Sequence, residues 1–262
     1  MNINEFAKKK LAGEKITMLT CYDYLSAKII AESQLDCVLV GDSVAMVVHG
    51  HSSTVMATID MMVLHTQAVA RGITHQLIIS DLPFLCHRSS QAETIINVKK
   101  LIQAGAEAIK IEGGDDDTCR TIAYLVSSGI PILGHIGLMP QSIYQYGGYK
   151  VQGRDDEKAN QLLQQAKNLE ASGCSALVLE CIPQALAKKI TNSLSIPTIG
   201  IGAGSVTDGQ VLVWHDMLGL QQDFVPKFVK QFTNSKSTVL TAINNYIQDV
   251  QQSDFPSESY AY

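Results

Sequence analysis

The sequence is short of the features that usually name a partner or a compartment. It has no C-x-x-C pair: Cys21, Cys37, Cys86, Cys119, Cys174 and Cys181 stand singly. That pattern argues against a structural zinc site or a disulfide frame and fits reduced thiols in a cytoplasmic protein. No uncharged apolar run reaches about 18 residues, so no membrane-spanning helix is expected. The start, Met1-Asn2-Ile3-Asn4-Glu5-Phe6, lacks the basic and apolar stretches of a signal peptide. No basic block is longer than Lys8-Lys9-Lys10 and the net charge is −5, so no nucleic-acid partner is expected. Those three lysines read as the solvated face of a short N-terminal helix. Linkers, low-complexity tracts and internal repeats are also missing. That leaves 262 residues, 46% of them hydrophobic, for one large domain or two ordinary ones.

What the chain does have is a rhythm. Short runs rich in Val, Ile and Leu recur at Ile16–Thr20, Cys37–Val40, Leu77–Ser80, Ala108–Ile111, Pro131–Gly134, Ala176–Leu179, Pro197–Ile201 and Val211–Trp214. Most do not alternate polar with apolar, as expected of strands covered on both faces of a parallel sheet. Between them lie helical patterns at Ile59–Arg71, Gln91–Ala104, Cys119–Ser127, Asp155–Ser172 and Ala185–Leu194. Gly72, Gly105, Gly129 and Gly173 follow helical patterns and read as left-handed C-caps. Eight strands alternating with helices point to an α/β fold, a (β/α)8 TIM barrel with a short N-terminal helix, over a single domain 1–262. A doubly wound open sheet is the competing architecture. Residues 253–262 read as a loosely ordered tail.

In such a barrel the active site lies at the C-terminal strand ends. Those ends carry Thr20-Cys21-Tyr22-Asp23, Gly41-Asp42-Ser43, Asp81-Leu82-Pro83, Lys110-Ile111-Glu112, His135, Glu180 and the turn Gly200-Ile201-Gly202-Ala203-Gly204. Asp42, Asp81 and Glu112 come from three consecutive strands, and hard oxygen ligands without a Cys/His cluster favour Mg2+. The plainer alternative is that each acid caps the following helix. Lys110 and Glu112 are two apart on a strand and share a face. They read either as a cation for an anionic substrate beside a metal-serving carboxylate, or as a self-satisfying pair. A buried pair gains little net stability after desolvation, which weakens the second reading. Glu180 follows Ala176-Leu177-Val178-Leu179, apolar neighbours that would raise its pKa into the range of a general acid or base. His135 is either a substrate hydrogen-bond donor or a structural histidine. His49-Gly50-His51 offers two ligands, too few for a metal site. The glycine turn lacks the phosphate-loop pattern. Tyr146–Arg154, with glycines at 147, 148 and 153, reads as a water-excluding lid or as an ordinary surface loop.

Ordered blocks along nearly the whole chain resemble the ketopantoate hydroxymethyltransferase family. They are Thr20-Cys21-Tyr22-Asp23, Leu39-Val40-Gly41-Asp42-Ser43, Asp81-Leu82-Pro83-Phe84, Ile109-Lys110-Ile111-Glu112-Gly113-Gly114 and Gly134-His135-Ile136-Gly137-Leu138. Further on come Pro140-Gln141-Ser142, the run 147–154, Leu179-Glu180-Cys181, the run 199–204 and Pro226-Lys227-Phe228. Cys21, Ser80 and Met139 stand where the family pattern leads one to expect Ala, Ala and Thr, which touches packing and leaves the chemistry alone. The resemblance implies a cytoplasmic, Mg2+-dependent barrel enzyme of pantothenate synthesis, assembled as a homodecamer of two pentamers. It implies transfer of a hydroxymethyl group from 5,10-methylenetetrahydrofolate to 3-methyl-2-oxobutanoate through a Mg2+-stabilised enolate, forming 2-dehydropantoate. Carried over by position, Asp42 and Asp81 bind the metal and line the substrate site, and Glu112 supports the metal. Ser43 and Lys110 hold the keto acid, His135 assists, and Glu180 accepts the proton or, alternatively, protonates the folate nitrogen.

Two rivals remain at this level. A Mg2+-dependent keto-acid lyase of the phosphoenolpyruvate/pyruvate barrel type would use the same acids. Such lyases usually carry a reactive cysteine on a mobile loop, and 146–154 has none. A barrel that binds a keto acid without catalysis would be marked by loss of a ligand or base, yet Asp42, Asp81, Lys110, Glu112 and Glu180 are all present.

Overall fold

Each apolar run becomes a strand, and parallel pairing joins every strand to the next and the last to the first. The computed structural model describes residues 1–221 and 225–262. Its first half runs α1 (Asn4–Ala12), β1 (Ile16–Thr20), α2 (Tyr24–Ala31), β2 (Cys37–Val40), α3 (Val44–Val47), α4 (Ile59–Gly72), β3 (Leu77–Asp81), α5 (Gln91–Gln103) and β4 (Ala108–Glu112). Then come α6 (Asp116–Ser127), β5 (Ile132–Gly137), α7 (Ile143–Tyr146), α8 (Asp156–Ala171), β6 (Ala176–Glu180), α9 (Gln184–Ser193), β7 (Thr198–Ile201) and β8 (Gly209–Leu212). The described residues thus close an eight-stranded parallel barrel, as the (β/α)8 reading expects, and the open sheet is excluded.

The sequence reads as one domain over 1–262, whereas backbone packing divides the chain into two compact units, Met1–Leu212 and Val213–Tyr262. The second unit holds α10 (Trp214–Met217), α11 (Ser235–Gln252) and a 3-10 turn at Glu258–Tyr260. Within it, the Phe255 ring lies 5.9 Å from that of Tyr246 and 5.5 Å from that of Tyr260.

Alternation along the strands fills the barrel. Met18, Leu39, Ile79, Ala108, Leu133, Val178, Ile199 and Val211 belong to one buried cluster, which Phe6 of α1 joins. Phe6 is fully buried, so the N-terminal helix contributes to the core. Its lysines are not simply solvated. Lys9 pairs with Asp36, and Lys10 donates to the carbonyls of Thr191 and Ile196 and to Asp208. The exposed carbonyls and aspartates at the strand-entry side attract them, a tertiary effect absent from the local pattern.

Helix starts are capped by residues other than Asp42, Asp81 and Glu112. Asp23, Thr58, Ser90, Asp115 and Asp155 accept from the first-turn amides of α2, α4, α5, α6 and α8. Ser90 and Glu93 form a reciprocal capping box, which satisfies two otherwise orphaned donors. Helix capping therefore does not occupy Asp42, Asp81 or Glu112. One expected glycine cap is different. Gly105, Gly129 and Gly173 have positive φ, but Gly72 remains inside α4. A Cβ there would sit 2.6 Å from the Ala27 Cβ and 2.8 Å from the Tyr24 carbonyl oxygen, so close packing on α2 explains this glycine. β8 begins two residues before the expected Val211, because Gly209 pairs with Ile16 at a spacing no side chain would allow.

Candidate active site

The inward positions change character toward the C-terminal ends of the strands. On β4, Ala108 belongs to the buried core, and Lys110 and Glu112 follow at period two. Strand register then sets the neighbours: Asp81 pairs with Lys110, Glu112 with His135, and Gly137 with Glu180. The polar residues from β3 to β6 thus form one continuous network.

Lys110 is its centre. Its Nζ lies 3.1 Å from Asp81 Oδ1 and 3.6 Å from Glu112 Oε1, and it donates to His135 Nδ1 at 3.2 Å. With Nδ1 accepting, His135 carries its proton on Nε2, which donates to the Leu138 carbonyl at 3.0 Å and lies 3.4 Å from Glu180 Oε2. Asp42 joins through its backbone N–H, which donates to Asp81 Oδ2 at 3.0 Å. Ser43 shares a 2.8 Å hydrogen bond with the Tyr22 hydroxyl. The structure therefore brings Asp42, Asp81, Lys110, Glu112, His135 and Glu180 together, with Ser43 adjacent to Asp42.

Asp42, Asp81, Glu112 and Glu180 gather around the one ammonium of Lys110. Burial, followed by the charges of Asp81 and Glu112, pushes Asp42 well above the usual carboxylate range. Burial pushes Glu112 up to about 7 against the opposing pull of Lys110. It pushes Glu180, whose side chain is 15% exposed, up to about 8. Burial disfavours the Lys110 cation, but Asp81, Glu112 and Asp42 outweigh it and hold Lys110 above the ordinary lysine value. Burial and then the Lys110 charge drive His135 well below the usual imidazole range, so it is neutral. Its short distances to Glu112 and Glu180 are hence contacts of a neutral ring rather than ion pairs.

The donor set fits a hard divalent cation. Glu112 Oε1 is buried without a hydrogen-bond partner, and Asp81 Oδ1 has its charge contact with Lys110 without hydrogen-bond geometry. Two underused carboxylate oxygens in a cluster rich in negative charge suit Mg2+, which binds through one or two carboxylates and keeps several waters. Among the described residues, no group of three His, Cys, Asp or Glu side chains is spaced to hold an ion by itself. A site completed by water and substrate oxygens meets that geometry; an all-protein cage does not.

Backbone strain marks the end of β6, next to Glu180. Cys181 takes φ +47, unusual for a non-glycine residue. Its N–H donates to the Ile201 carbonyl and its carbonyl accepts from Gln152 N–H, both at 2.9 Å. Opposite, Gly137 (φ +99) lies so close that a Cβ would be 2.2 Å from the Glu180 carbonyl oxygen. The segment 146–154 reaches the same region. Besides Gln152, the Tyr149 hydroxyl lies 3.6 Å from Met46 Sδ, so the loop touches residues that follow both β2 and β6.

Gln141, in the Pro140-Gln141-Ser142 block, has no role that its sequence position alone suggests. It is buried, and its Nε2 donates to Asp42 Oδ2 at 2.8 Å and to the Leu82 carbonyl at 3.1 Å. Its place on a strand-end segment was the available signal. The His49-Gly50-His51 motif resolves differently. His49 Nε2 lies 2.9 Å from His65 Nε2, and His65 Nδ1 reaches the Tyr22 carbonyl. It forms a histidine pair beside the mouth, apart from the acidic cluster.

Comparisons with known proteins place the chain in a family. A sequence profile described as ketopantoate hydroxymethyltransferase matches residues 1–258. The 3-methyl-2-oxobutanoate hydroxymethyltransferase of Legionella pneumophila (strain Paris) is 64% identical over 262 residues, covering 100% of both chains. That of Coxiella burnetii (strain CbuK_Q154) is 49% identical over 263 residues, covering 100% of this chain and 99% of the relative. Among solved structures, 2,3-dimethylmalate lyase, a PEP mutase/isocitrate lyase superfamily member, superposes with TM-score 0.60 at 14% identity, covering 98% of this chain and 90% of that one. That last likeness is one of fold; full-length identity with the transferases outweighs it and sets the lyase reading aside. The chain belongs to the ketopantoate hydroxymethyltransferase family.

Proposed function

We propose that the protein transfers the one-carbon unit of 5,10-methylenetetrahydrofolate to 3-methyl-2-oxobutanoate with the uptake of one water, which supplies the hydroxyl of the new hydroxymethyl group, forming 2-dehydropantoate for pantothenate synthesis and releasing tetrahydrofolate. The observation that carries the proposal is the cluster of buried Asp42, Asp81, Lys110, Glu112 and His135 with partly buried Glu180 at the strand ends of a chain from this family. Asp42 and Asp81, with Glu112 beside them, would hold Mg2+, which supplies Lewis-acid stabilisation of the negative charge that develops when the keto acid loses its C3 proton. Lys110 and Ser43 hold the keto acid, Lys110 opposing its carboxylate charge. Neutral His135, its Nε2–H held by the Leu138 carbonyl, lies 3.4 Å from Glu180 Oε2 and sets an uncharged ring beside that carboxyl. Glu180 accepts the C3 proton: a carboxylate with its pKa pushed up to about 8 is a far stronger base than one at the usual value. Segment 146–154 serves as the lid that excludes bulk water, beyond the one molecule the reaction consumes, while the one-carbon unit is exposed; its contacts with Met46 and Cys181 support that role.

The same reading makes the protein a homodecamer of two pentamers in the cytoplasm. In support, Val239, Leu240, Ile243, Tyr246, Ile247 and Val250 of α11 are all exposed, more apolar surface than a lone helix ordinarily shows to water. All six cysteines are free, and no helix among the described residues is long and apolar enough to cross a membrane.

Proton NMR in D2O tests the chemistry, with the keto acid and methylenetetrahydrofolate present and either Mg2+ or EDTA. The wild type should form 2-dehydropantoate only with Mg2+. Glu180→Gln should bind keto acid nearly as before, while losing C3 proton exchange and turnover by about 10²–10⁴-fold. Full activity in that variant refutes the assignment of the base, and product formation in EDTA refutes the metal requirement.

A further inference from the structure

One buried amide ties three strand ends together. Gln141, 4% exposed, sits on the 3-10 turn Pro140–Ser142 after β5. Its Nε2 reaches Asp42 Oδ2 beyond β2 and the Leu82 carbonyl beyond β3. Its backbone N–H donates to Glu112 Oε2 at the end of β4, at 3.1 Å. An amide NH2 has two hydrogens, and the two acceptors use both. The terminal torsion of a carboxylate is a broad, weakly restrained rotor. Without an external donor, neither acid would have a fixed oxygen to present. With Gln141 in place, Oδ2 of Asp42 and Oε2 of Glu112 are engaged, and Glu112 Oε1 is left without a hydrogen bond.

We propose that Gln141 is a positioning residue: by holding one oxygen of Asp42 and one of Glu112, it presets which oxygens face the divalent cation. This rests on the Mg2+ reading above. The two arms are separable, because the Asp42 arm belongs to the side chain and the Glu112 arm to the backbone. Replacing the side chain frees Asp42 and leaves the hydrogen bond to Glu112. Outer-sphere partners of metal ligands commonly control affinity by about 10–100-fold, and loss of that size is expected here.

The test is calorimetric titration of Mg2+ into EDTA-stripped protein, comparing wild type with Gln141→Met and Gln141→Asn. Methionine keeps the volume and removes the donor; asparagine keeps an amide in the cavity but is too short to span to Asp42, and it decides the question should the methionine variant not fold. Melting temperature without Mg2+ and turnover against Mg2+ concentration are measured alongside. The expected result is a Mg2+ dissociation constant raised about 10–100-fold, with turnover lost at limiting Mg2+ and recovered as Mg2+ is increased. Wild-type binding with unchanged variant affinity and only a lower melting temperature overturns the proposal, leaving Gln141 a packing residue. Absence of saturable Mg2+ binding by the wild type overturns the metal reading, and the proposal falls with it.

Discussion

Without divalent cation, the protein should lose stability as pH rises from 6.5 to 8, and Mg2+ should remove most of that loss. Glu112 and Glu180 stand at about 7 and about 8 in the fold against an ordinary 4.5, raised chiefly by burial. A carboxyl with a raised folded pKa holds its proton in the native state and releases it on unfolding. Its stabilising contribution is complete below the unfolded value and lost as pH rises through the folded one. Neutral buried His135 and His87, both lowered by burial, give the opposite slope, but only below the usual imidazole value. Buried thiols such as Cys21, Cys174 and Cys181, each pushed up to about 12 by burial, act only above the ordinary thiol range. The window from 6.5 to 8 therefore isolates the carboxyl cluster.

At about 1.4 kcal/mol per pH unit for each proton retained, Glu180 gives about 2 kcal/mol across that window and Glu112 under about 1. Because both answer to the same Lys110 charge, a joint loss of about 2–3 kcal/mol is the working figure. At about 2–4 °C per kcal/mol for a chain of this size, that is a fall of roughly 5–10 °C. Mg2+ at a hundred times its dissociation constant returns about 2.7 kcal/mol, most strongly at pH 8, where it no longer competes with protons. Scanning calorimetry at fixed protein concentration and scan rate, in EDTA and in Mg2+, measures both slopes. A flat or rising metal-free profile, or a Mg2+ effect equal at pH 6.5 and 8, would refute the charge argument.

Two substitutions probe the scaffold under this cluster. Lys110→Met leaves Asp81 and Glu112 buried without their cation. It should cost about 3–5 kcal/mol in metal-free denaturant unfolding and be partly rescued by Mg2+; an unchanged midpoint would mean the carboxyls are already neutral. Gly137→Ala forces a Cβ to within 2.2 Å of the Glu180 carbonyl at φ +99. It should lower stability by more than about 1 kcal/mol and reduce kcat more than keto-acid affinity, with equal stability and full turnover as the contrary outcome.

The barrel was legible in sequence because two signals coincided. Continuous apolar runs marked strands covered on both faces, and helical spacing filled the gaps. Five of the eight strands start where the runs start, and β7 starts one residue later, at Thr198 after Pro197. The other two have local causes. The run at Pro131 gives its first strand residue at Ile132 and extends to Gly137, because pairing with β6 continues as far as Glu180. β8 is displaced by the glycine contact at Ile16. Period-two reasoning also put Lys110 and Glu112 on one face, and both lie buried in the cluster.

The hydrogen bonds that decide which atoms are available could not be read this way. Asp42 and Glu112 look alike in sequence to Asp115, an acid three residues past the end of β4 that caps α6 and pairs with Arg88. What separates them is Gln141, at the far end of a different strand: it takes one oxygen from each of Asp42 and Glu112, whereas Asp115 spends Oδ1 on first-turn amides and Oδ2 on the Thr118 hydroxyl and Arg88. Spacing along the chain tells which face a carboxylate lies on, but which of its two oxygens is free depends on a donor about 30 residues from Glu112 and about 100 from Asp42, a relation that closure of the barrel creates. For a hard cation, the free oxygen is what counts. The chemistry of this site is thus a property of the register between β2, β4 and the turn after β5 as much as of the acids themselves, and substitutions that shift the turn while sparing every acid should weaken metal binding first.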